Sequence, residues 1–222
     1  EFLNWLFSPF FSKGEHPMIF TEYPFWLFFL FVLVGYGLLF KNLRLRSLFL
    51  FIVSTFFYFK TSGFFFTILI FSTLLDYYLG NVIYSSKSKI RAKLFLSISV
   101  VINLFLLVYF KYSYFFADSF NSLIGSNWQP VNHFALAANK LSGSSFRVDK
   151  ILLPIGISFY TFQTMSYAID IYRGKLKPVK HIIDFGFYVT FFPQLVAGPI
   201  VRASQFIPQI YKPYSLTRES FG

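Results

Sequence analysis

Polar side chains interrupt two apolar stretches of this sequence at spacings that could line a passage for a polar substrate. The stretch SFYTFQTMSYAIDIYRG carries Gln163 and Asp170 among aromatic residues. The stretch FFPQLVAGPIVRASQFIPQ carries Gln194 and Arg202. Amide groups both donate and accept hydrogen bonds, whereas a carboxylate only accepts and a guanidinium only donates them. These residues can therefore bind a polar group, but they do not form a nucleophile and base pair.

The second stretch is also broken by residues that disrupt a regular helix. Proline has no backbone N–H and leaves a carbonyl group unpaired one turn earlier. At membrane depth, irregular backbone persists only against protein or a water-filled cavity. The sequence therefore predicts a broken or re-entrant segment near 193–199, with a kinked helix as the alternative. The candidate substrate-passage residues are Gln163, Asp170, Pro193, Gln194, Gly198, Pro199 and Arg202.

No residue of the sequence is predicted to be catalytic or to bind a metal. His16 and His133 lie in polar segments, and His181 lies in a basic gap, each without an apolar pocket and partner. The absence of cysteine excludes disulfides, thiolate metal sites and a cysteine nucleophile. Neither a nucleophile elbow nor a phosphate-binding or dinucleotide-binding loop is found.

The composition is typical of a membrane protein. Hydrophobic residues make up 55% of the 222 residues, and the mean hydropathy is +0.57. A soluble domain of this length could not bury so much apolar surface. The net charge of +11 comes from basic residues in short gaps between apolar runs. That pattern is typical of cytoplasmic loops and gives no basic face for nucleic acid.

The apolar runs predict an all-α, polytopic transmembrane helical bundle with about six membrane segments, because a span needs about 20 apolar residues. Pro154 and Gly156 predict a second broken or re-entrant region near 154–158. The predicted segments are 23–40, 45–59, 64–84, 94–116, 151–172 and 182–201. The predicted organisation is an interfacial segment 1–22, four transmembrane helices in 23–116, an extracytoplasmic loop 117–150 with one short helix near 133–141, and motif-bearing helices in 151–222.

The basic gaps alternate along the chain, which places the N-terminus on the extracytoplasmic side. Polar residues inside the predicted spans each need a partner. For Asp76 we expect a helix–helix contact or the wall of a polar cavity, and for Asn103 an interhelical hydrogen bond. Asp170 and Arg173, three residues apart, can form an ion pair.

Two stretches, LPIGISFYTFQTMSYAIDIYRG and DFGFYVTFFPQLVAGPIVRASQFIPQ, resemble the membrane-bound O-acyltransferases. The resemblance is to the bacterial branch of alginate O-acetylation and D-alanyl transfer proteins. Matches in FFYFKTSGFFFTILIFSTLLDYYLG and SVVINLFLLVYFKYSYFF extend it over nearly all of residues 20–210. It implies transfer of an acyl group to a hydroxyl of an extracytoplasmic polysaccharide, with a histidine as general base.

The sequence departs from the family because its three histidines do not match the family's catalytic histidine. That histidine is expected downstream of residue 222, so the chain is expected to be the N-terminal half of an enzyme and inactive alone. The resemblance implies no bound cofactor, since the acyl donor, acetyl-CoA or a carrier-linked thioester, is a substrate. It places the protein in the bacterial cytoplasmic membrane.

The implied partners are the lipid bilayer, an acyl donor or carrier on the cytoplasmic side, a polysaccharide acceptor outside, and a second acetyltransferase component. Acetyl transfer is the first choice, because FFPQLVAGPIVR resembles the alginate-type proteins. The alternatives are D-alanyl transfer to a teichoic acid-like polymer and a non-catalytic scaffold or transporter. The basic gaps 87–93 and 173–180 favour anionic lipid headgroups, with docking of an acidic acyl carrier as the alternative.

Overall fold

A computed structural model describes residues 21–142 and 147–212, and within these residues the chain is helical without a β-strand. The predicted all-α class is therefore confirmed for this part of the chain. The helices in chain order are α1 Tyr23–Leu39, α2 Leu43–Ser62, α3 Phe66–Ser85, α4 Lys89–Ile124, α5 His133–Ser142, α6 Ile157–Tyr172, α7 Ile182–Thr190, α8 Phe192–Ala197 and α9 Ala203–Ile210. A 3₁₀ helix, Gly63–Phe65, joins α2 to α3.

Two stretches are long and apolar enough to cross a membrane by length and composition, Leu43–Ser85 and Lys89–Ile124. The first contains α2 and α3, and the second is α4. With 36 residues, α4 has a length of about 54 Å and exceeds the hydrocarbon core of roughly 30 Å. Helix α1 and the region Ile182–Leu195 are apolar but shorter.

The ends of the long helices follow from local sequence signals. The side chain of Asn42 caps α2 by accepting a hydrogen bond from the Leu45 N–H at 3.2 Å. Gly63, with φ of 59°, ends α2 just after the predicted span 45–59. Gly125, with φ of 69°, ends α4 in a left-handed conformation.

Aromatic rings fill the contact between α1, α2 and α8. The ring of Phe192 lies 5.3 Å from that of Phe28 and 5.1 Å from that of Phe57. Phe25 and Phe57 meet edge to face at 6.0 Å. Such pairs contribute about 1 kcal/mol each beyond the apolar area that they bury. This cluster is one reason why the sequence is so rich in phenylalanine.

Helices α7, α8 and α9 form a hairpin whose two ends lie together. At its base, the Tyr211 hydroxyl donates to Asp184 Oδ2 at 2.8 Å, and the Arg46 guanidinium donates to the Ile210 carbonyl. Helix α7 rises about 13 Å and α9 about 12 Å, each less than half of a membrane crossing. The predicted segment 182–201 is therefore not one continuous helix, as the break predicted near 193–199 requires, and the contact between Tyr211 and Asp184 brings the end of α9 back to the start of α7.

The predicted breaks in the helices are present. The hairpin is interrupted at Phe191 and again between Gly198 and Arg202. Residues 147–156 are not helical, so the predicted segment 151–172 is helical only from Ile157. Helix α5 confirms the short helix expected in the loop 117–150. The predicted interfacial segment 1–22 lies outside the described residues except for its last two.

Candidate functional site

The irregular segment before α6 is held by side chains from other helices. The N–H of Ile155 donates to Ser62 Oγ at 3.1 Å, and its carbonyl accepts from the Tyr58 hydroxyl at 2.8 Å. Earlier in the same segment, the N–H of Ile151 donates to the Tyr114 hydroxyl at 2.8 Å. These bonds satisfy backbone groups that a helix would have satisfied internally.

The segment before α6 also touches the tip of the hairpin. Gly156 has φ of +73°, and a Cβ built on it would lie 2.7 Å from the Leu195 carbonyl oxygen. Only glycine allows both this backbone conformation and this close approach. The two sequence stretches that carry the family resemblance therefore meet in space.

One face of α2 contributes hydroxyl groups to both irregular segments. The Ser54 hydroxyl lies 3.4 Å from the N–H of Phe192 in the hairpin. Tyr58 and Ser62, one and two turns later, bind Ile155 as described. The spacing i, i+4, i+8 puts the three side chains on one helix face.

A second contact joins α6 to the segment that leads into α9. The Ser166 hydroxyl donates to the Gln163 carbonyl at 2.8 Å and accepts from the Ala203 N–H at 3.3 Å. The Tyr188 hydroxyl lies 3.1 Å from the Val201 carbonyl oxygen and 3.3 Å from that of Gln163. The polar face of α6, formed by Gln163, Ser166 and Asp170, thus faces the hairpin.

Helix α6 also retains buried hydrogen-bonding groups without partners in the described residues, and among them Gln163 and Asp170 lie on the polar face. Five buried side-chain atoms of the described residues have no hydrogen-bond partner, and four of them belong to α6. These four are Tyr160 Oη, Thr161 Oγ1, Gln163 Oε1 and Asp170 Oδ2. Gln163 is 1% and Asp170 4% exposed. An unpaired buried polar group costs about 1–3 kcal/mol. Such a group is suited to bind a water molecule or a polar substrate.

The prediction of an ion pair between Asp170 and Arg173 is wrong, because the described residues do not contain this pair. There the one ion pair joins Arg147 and Asp149, at 2.7 Å, in the segment before α6. Helix α6 ends at Tyr172, and Gly174 (φ of 70°) turns the chain directly afterwards. Arg173 therefore follows the last helical turn and is exposed.

The candidate substrate-passage residues of the hairpin differ in how deeply they are buried. Gln194 is 6% exposed, and its Nε2 donates to the Pro199 carbonyl at 3.0 Å. Gly198 lies against Gln194, since a Cβ there would be 2.5 Å from the Gln194 Cα. Pro193 is half-buried, whereas Pro199 and Arg202 are exposed. Gln194 thus binds a backbone carbonyl of the hairpin, and its role in a substrate passage stays a prediction.

The buried carboxylate of Asp76 lies in a separate polar cluster between α3, α4 and α6. Asp76 is fully buried and accepts from Ser99 Oγ at 2.5 Å and from Asn103 Nδ2 at 2.7 Å. Asn103 Oδ1 accepts from Ser72 and Thr164, each at 3.1 Å. The interhelical hydrogen bond predicted for Asn103 is confirmed, and Asp76 makes a helix–helix contact. This cluster is fully partnered and therefore structural.

The chain is similar to curated bacterial O-acetylases. It is 37% identical over 194 residues to a protein named Probable alginate O-acetylase of Pseudomonas aeruginosa, a match that covers 86% of this chain and 34% of that protein. The protein of the same name from Pseudomonas putida is 34% identical over 193 residues, covering 86% of this chain and 37% of that protein. The Peptidoglycan O-acetyltransferase of Helicobacter pylori is 29% identical over 203 residues, covering 81% and 34%.

The chain spans about a third of the length of these curated relatives, less than the half expected from the sequence. No family model matches the chain, and no solved structure matches it. The similarity nevertheless covers 86% of the chain at 37% identity. The chain therefore belongs to the membrane-bound O-acyltransferase family, among the relatives of bacterial alginate and peptidoglycan O-acetylases.

Proposed function

We propose that the complete protein is a membrane O-acyltransferase that moves an acetyl group to a hydroxyl of an extracytoplasmic polysaccharide. The observation that carries this proposal is the 37% identity to a Probable alginate O-acetylase over 86% of the chain. The names of the relatives specify acetyl groups, which favours acetyl over D-alanyl transfer. The donor would be acetyl-CoA or a carrier-linked thioester, and the catalytic histidine would lie downstream of residue 222.

We further propose a multi-pass arrangement in the bacterial cytoplasmic membrane with the N-terminus outside. Helices α1, α2, α3, α4 and α6 would cross, and the hairpin α7–α9 would enter and leave from the cytoplasmic side instead of forming a sixth crossing. The length of α2–α3 and α4 supports this proposal. The hydrogen bond between Tyr211 and Asp184 supports a hairpin with both ends on one side.

In this arrangement the two irregular segments approach from opposite sides of the membrane. Residues 147–156 would enter from outside, and the hairpin tip would enter from the cytoplasm. Their contact at Gly156 and Leu195 would leave only a thin barrier between donor and acceptor. The unpaired polar groups of Gln163 and Asp170 would face the substrate passage. The acceptor hydroxyl oxygen would attack the acyl carbon while a general base takes its proton and the thiolate leaves.

The proposed function can be tested by deleting the complete gene and measuring ester-linked acetyl groups on the surface polysaccharides of the cell. We expect the acetyl content of one polymer to fall, the full-length gene to restore it, and residues 1–222 alone not to restore it. Loss of ester-linked D-alanine instead would support the alternative acyl group. Unchanged acyl content of all envelope polymers would reject the enzyme and favour a scaffold or transporter.

Substitutions in the hairpin test the substrate-passage role of its polar residues. In the full-length protein, we expect Gln194→Ala and Arg202→Ala each to lower the initial rate of acetyl transfer about tenfold, since each removes a polar contact to substrate or to the segment that lines the passage. The rate is measured per amount of folded protein in the membrane. The matched control is Arg44→Ala, another exposed arginine beside a helix start. Rates equal to that of the control would leave only a structural role for both residues.

A further inference from the structure

A groove lies between α1, α2 and the hairpin α7–α9, away from the polar face of α6. Its volume is about 960 Å³, in the range of sites that enclose small molecules. Ser204, Gln205 and Gln209 add polar groups along α9. Its aromatic wall is formed by Phe29, Tyr36, Phe187, Phe191, Phe192 and Phe206. The groove is thus suited to a molecule with a long apolar part.

One end of the groove is basic. Arg46 lines this end and is only 6% exposed. Its guanidinium donates to the carbonyl of Ile210 at the end of α9. Lys212, two residues further along, lines the same end. The groove is therefore cationic where α2 begins and α9 ends.

Within residues 21–142 and 147–212, Arg46 has no anionic partner of the kind that a buried arginine normally has. Within the described residues no carboxylate lies within ion-pair distance of it, and no Asp or Glu lines the groove. Guanidinium has five N–H donors, of which a single carbonyl acceptor uses only a part. A buried charge without a counterion is costly, and a phosphate group is a geometrically suitable partner for arginine.

The basic and aromatic parts of the groove lie at different depths. Arg46 belongs to the first turn of α2, close to the exposed residues Lys41 and Arg44. On α1, the groove extends from Tyr36 back to Phe29, seven residues or about 10 Å along the helix. Since basic residues at a helix start lie near the membrane surface, the aromatic wall extends from that surface into the apolar layer.

We propose that this groove binds an anionic phospholipid, with the headgroup phosphate on Arg46 and Lys212 and one acyl chain against the aromatic wall. Charge complementarity selects this occupant, because the groove is cationic at one end, has an aromatic wall along its length and, among the described residues, is lined by no acidic side chain. The proposal uses the membrane placement of α1 and α2 but not the acyl transfer reaction. Lipid binding and acyl transfer can therefore fail independently.

Photo-crosslinking of the full-length protein tests the site. Leu33 lines the groove and is 51% exposed, whereas Leu30 is 58% exposed and does not line it. Each is replaced in turn by p-benzoylphenylalanine, and the protein is placed in vesicles of phosphatidylglycerol or of phosphatidylcholine with the same chains. We expect Leu33→p-benzoylphenylalanine to give about fivefold more adduct with phosphatidylglycerol than with phosphatidylcholine. Leu30→p-benzoylphenylalanine should give equal amounts.

Variants of the basic end complete the test. Lys212→Gln, at an exposed position, should lower the phosphatidylglycerol adduct at position 33 about fivefold, and Arg46→Gln should lower it at least as much. Lys41→Gln, which changes an exposed lysine outside the groove, should leave it unchanged. If Arg46→Gln does not fold, Lys212→Gln decides the question alone. Equal adducts of both lipids, or crosslinks to the protein's own later segments, would overturn the proposal.

Discussion

Replacing Asp76 by alanine is expected to cost about 2–6 kcal/mol of stability, because it leaves two buried donors unpaired at about 1–3 kcal/mol each. Ser99 and Asn103 both donate to this carboxylate from α4. Without it, their donors remain buried and unpaired between α3, α4 and α6. We expect a strongly lowered Tm of the full-length protein in detergent and little folded protein in the membrane.

Two control variants separate the loss of hydrogen bonds from the loss of charge. Asp76→Asn keeps one acceptor for Asn103 and should lose less stability than Asp76→Ala. Asp118→Ala changes an exposed carboxylate on α4 and should change stability by about 0.5 kcal/mol or less. A Tm of Asp76→Ala equal to that of Asp118→Ala would contradict the structural role of the cluster.

Gly156→Ala is expected to separate the two irregular segments and to destabilise the protein by about 2–5 kcal/mol. The left-handed backbone costs an alanine about 1–2 kcal/mol, and forcing a carbon into a packed contact adds about 1–3 kcal/mol. The new Cβ would lie 2.7 Å from the Leu195 carbonyl oxygen. The measurement is the Tm of the full-length protein together with the rate of acetyl transfer.

Gly125 provides a matched control for this prediction. It has φ of +69°, but a Cβ there would meet no atom within 4 Å. Gly125→Ala should therefore show only the backbone cost. Equal destabilisation by the two substitutions would mean that the contact with Leu195 contributes nothing, and the close approach of the two segments would then be wrong.

The sequence was sufficient to predict the first four helices and the break near 193–199, but not the contacts that close the hairpin. Apolar runs identify α1 to α4 because periodicity and length are local properties. The prolines and Gly198 predict the break in residues 182–201, but the contacts of Tyr211 and Arg46 that hold the two ends of the hairpin together join residues distant in the sequence. Arg46 illustrates the same limit, because its burial depends on a contact with Ile210, which is distant in the sequence.

The candidate site was predictable where polar residues are rare and missed where they are common. Gln163 and Gln194 stand out in an apolar sequence, and both are buried. Tyr188 and the hydroxyl groups of α2 were missed, because serine and tyrosine in an apolar run are usually unremarkable. The i, i+4, i+8 spacing of the hydroxyl residues on α2 was a signal that could have identified that face.

The most direct test of the central claim is acetyl transfer across the membrane by the complete protein. Inverted membrane vesicles from cells that carry the full-length gene are supplied with labelled acetyl-CoA on their outer, originally cytoplasmic, face. The proposed function predicts ester-linked label on polysaccharide inside the vesicles and none in vesicles from the deletion strain. Equal labelling of the polysaccharide in both preparations would contradict it.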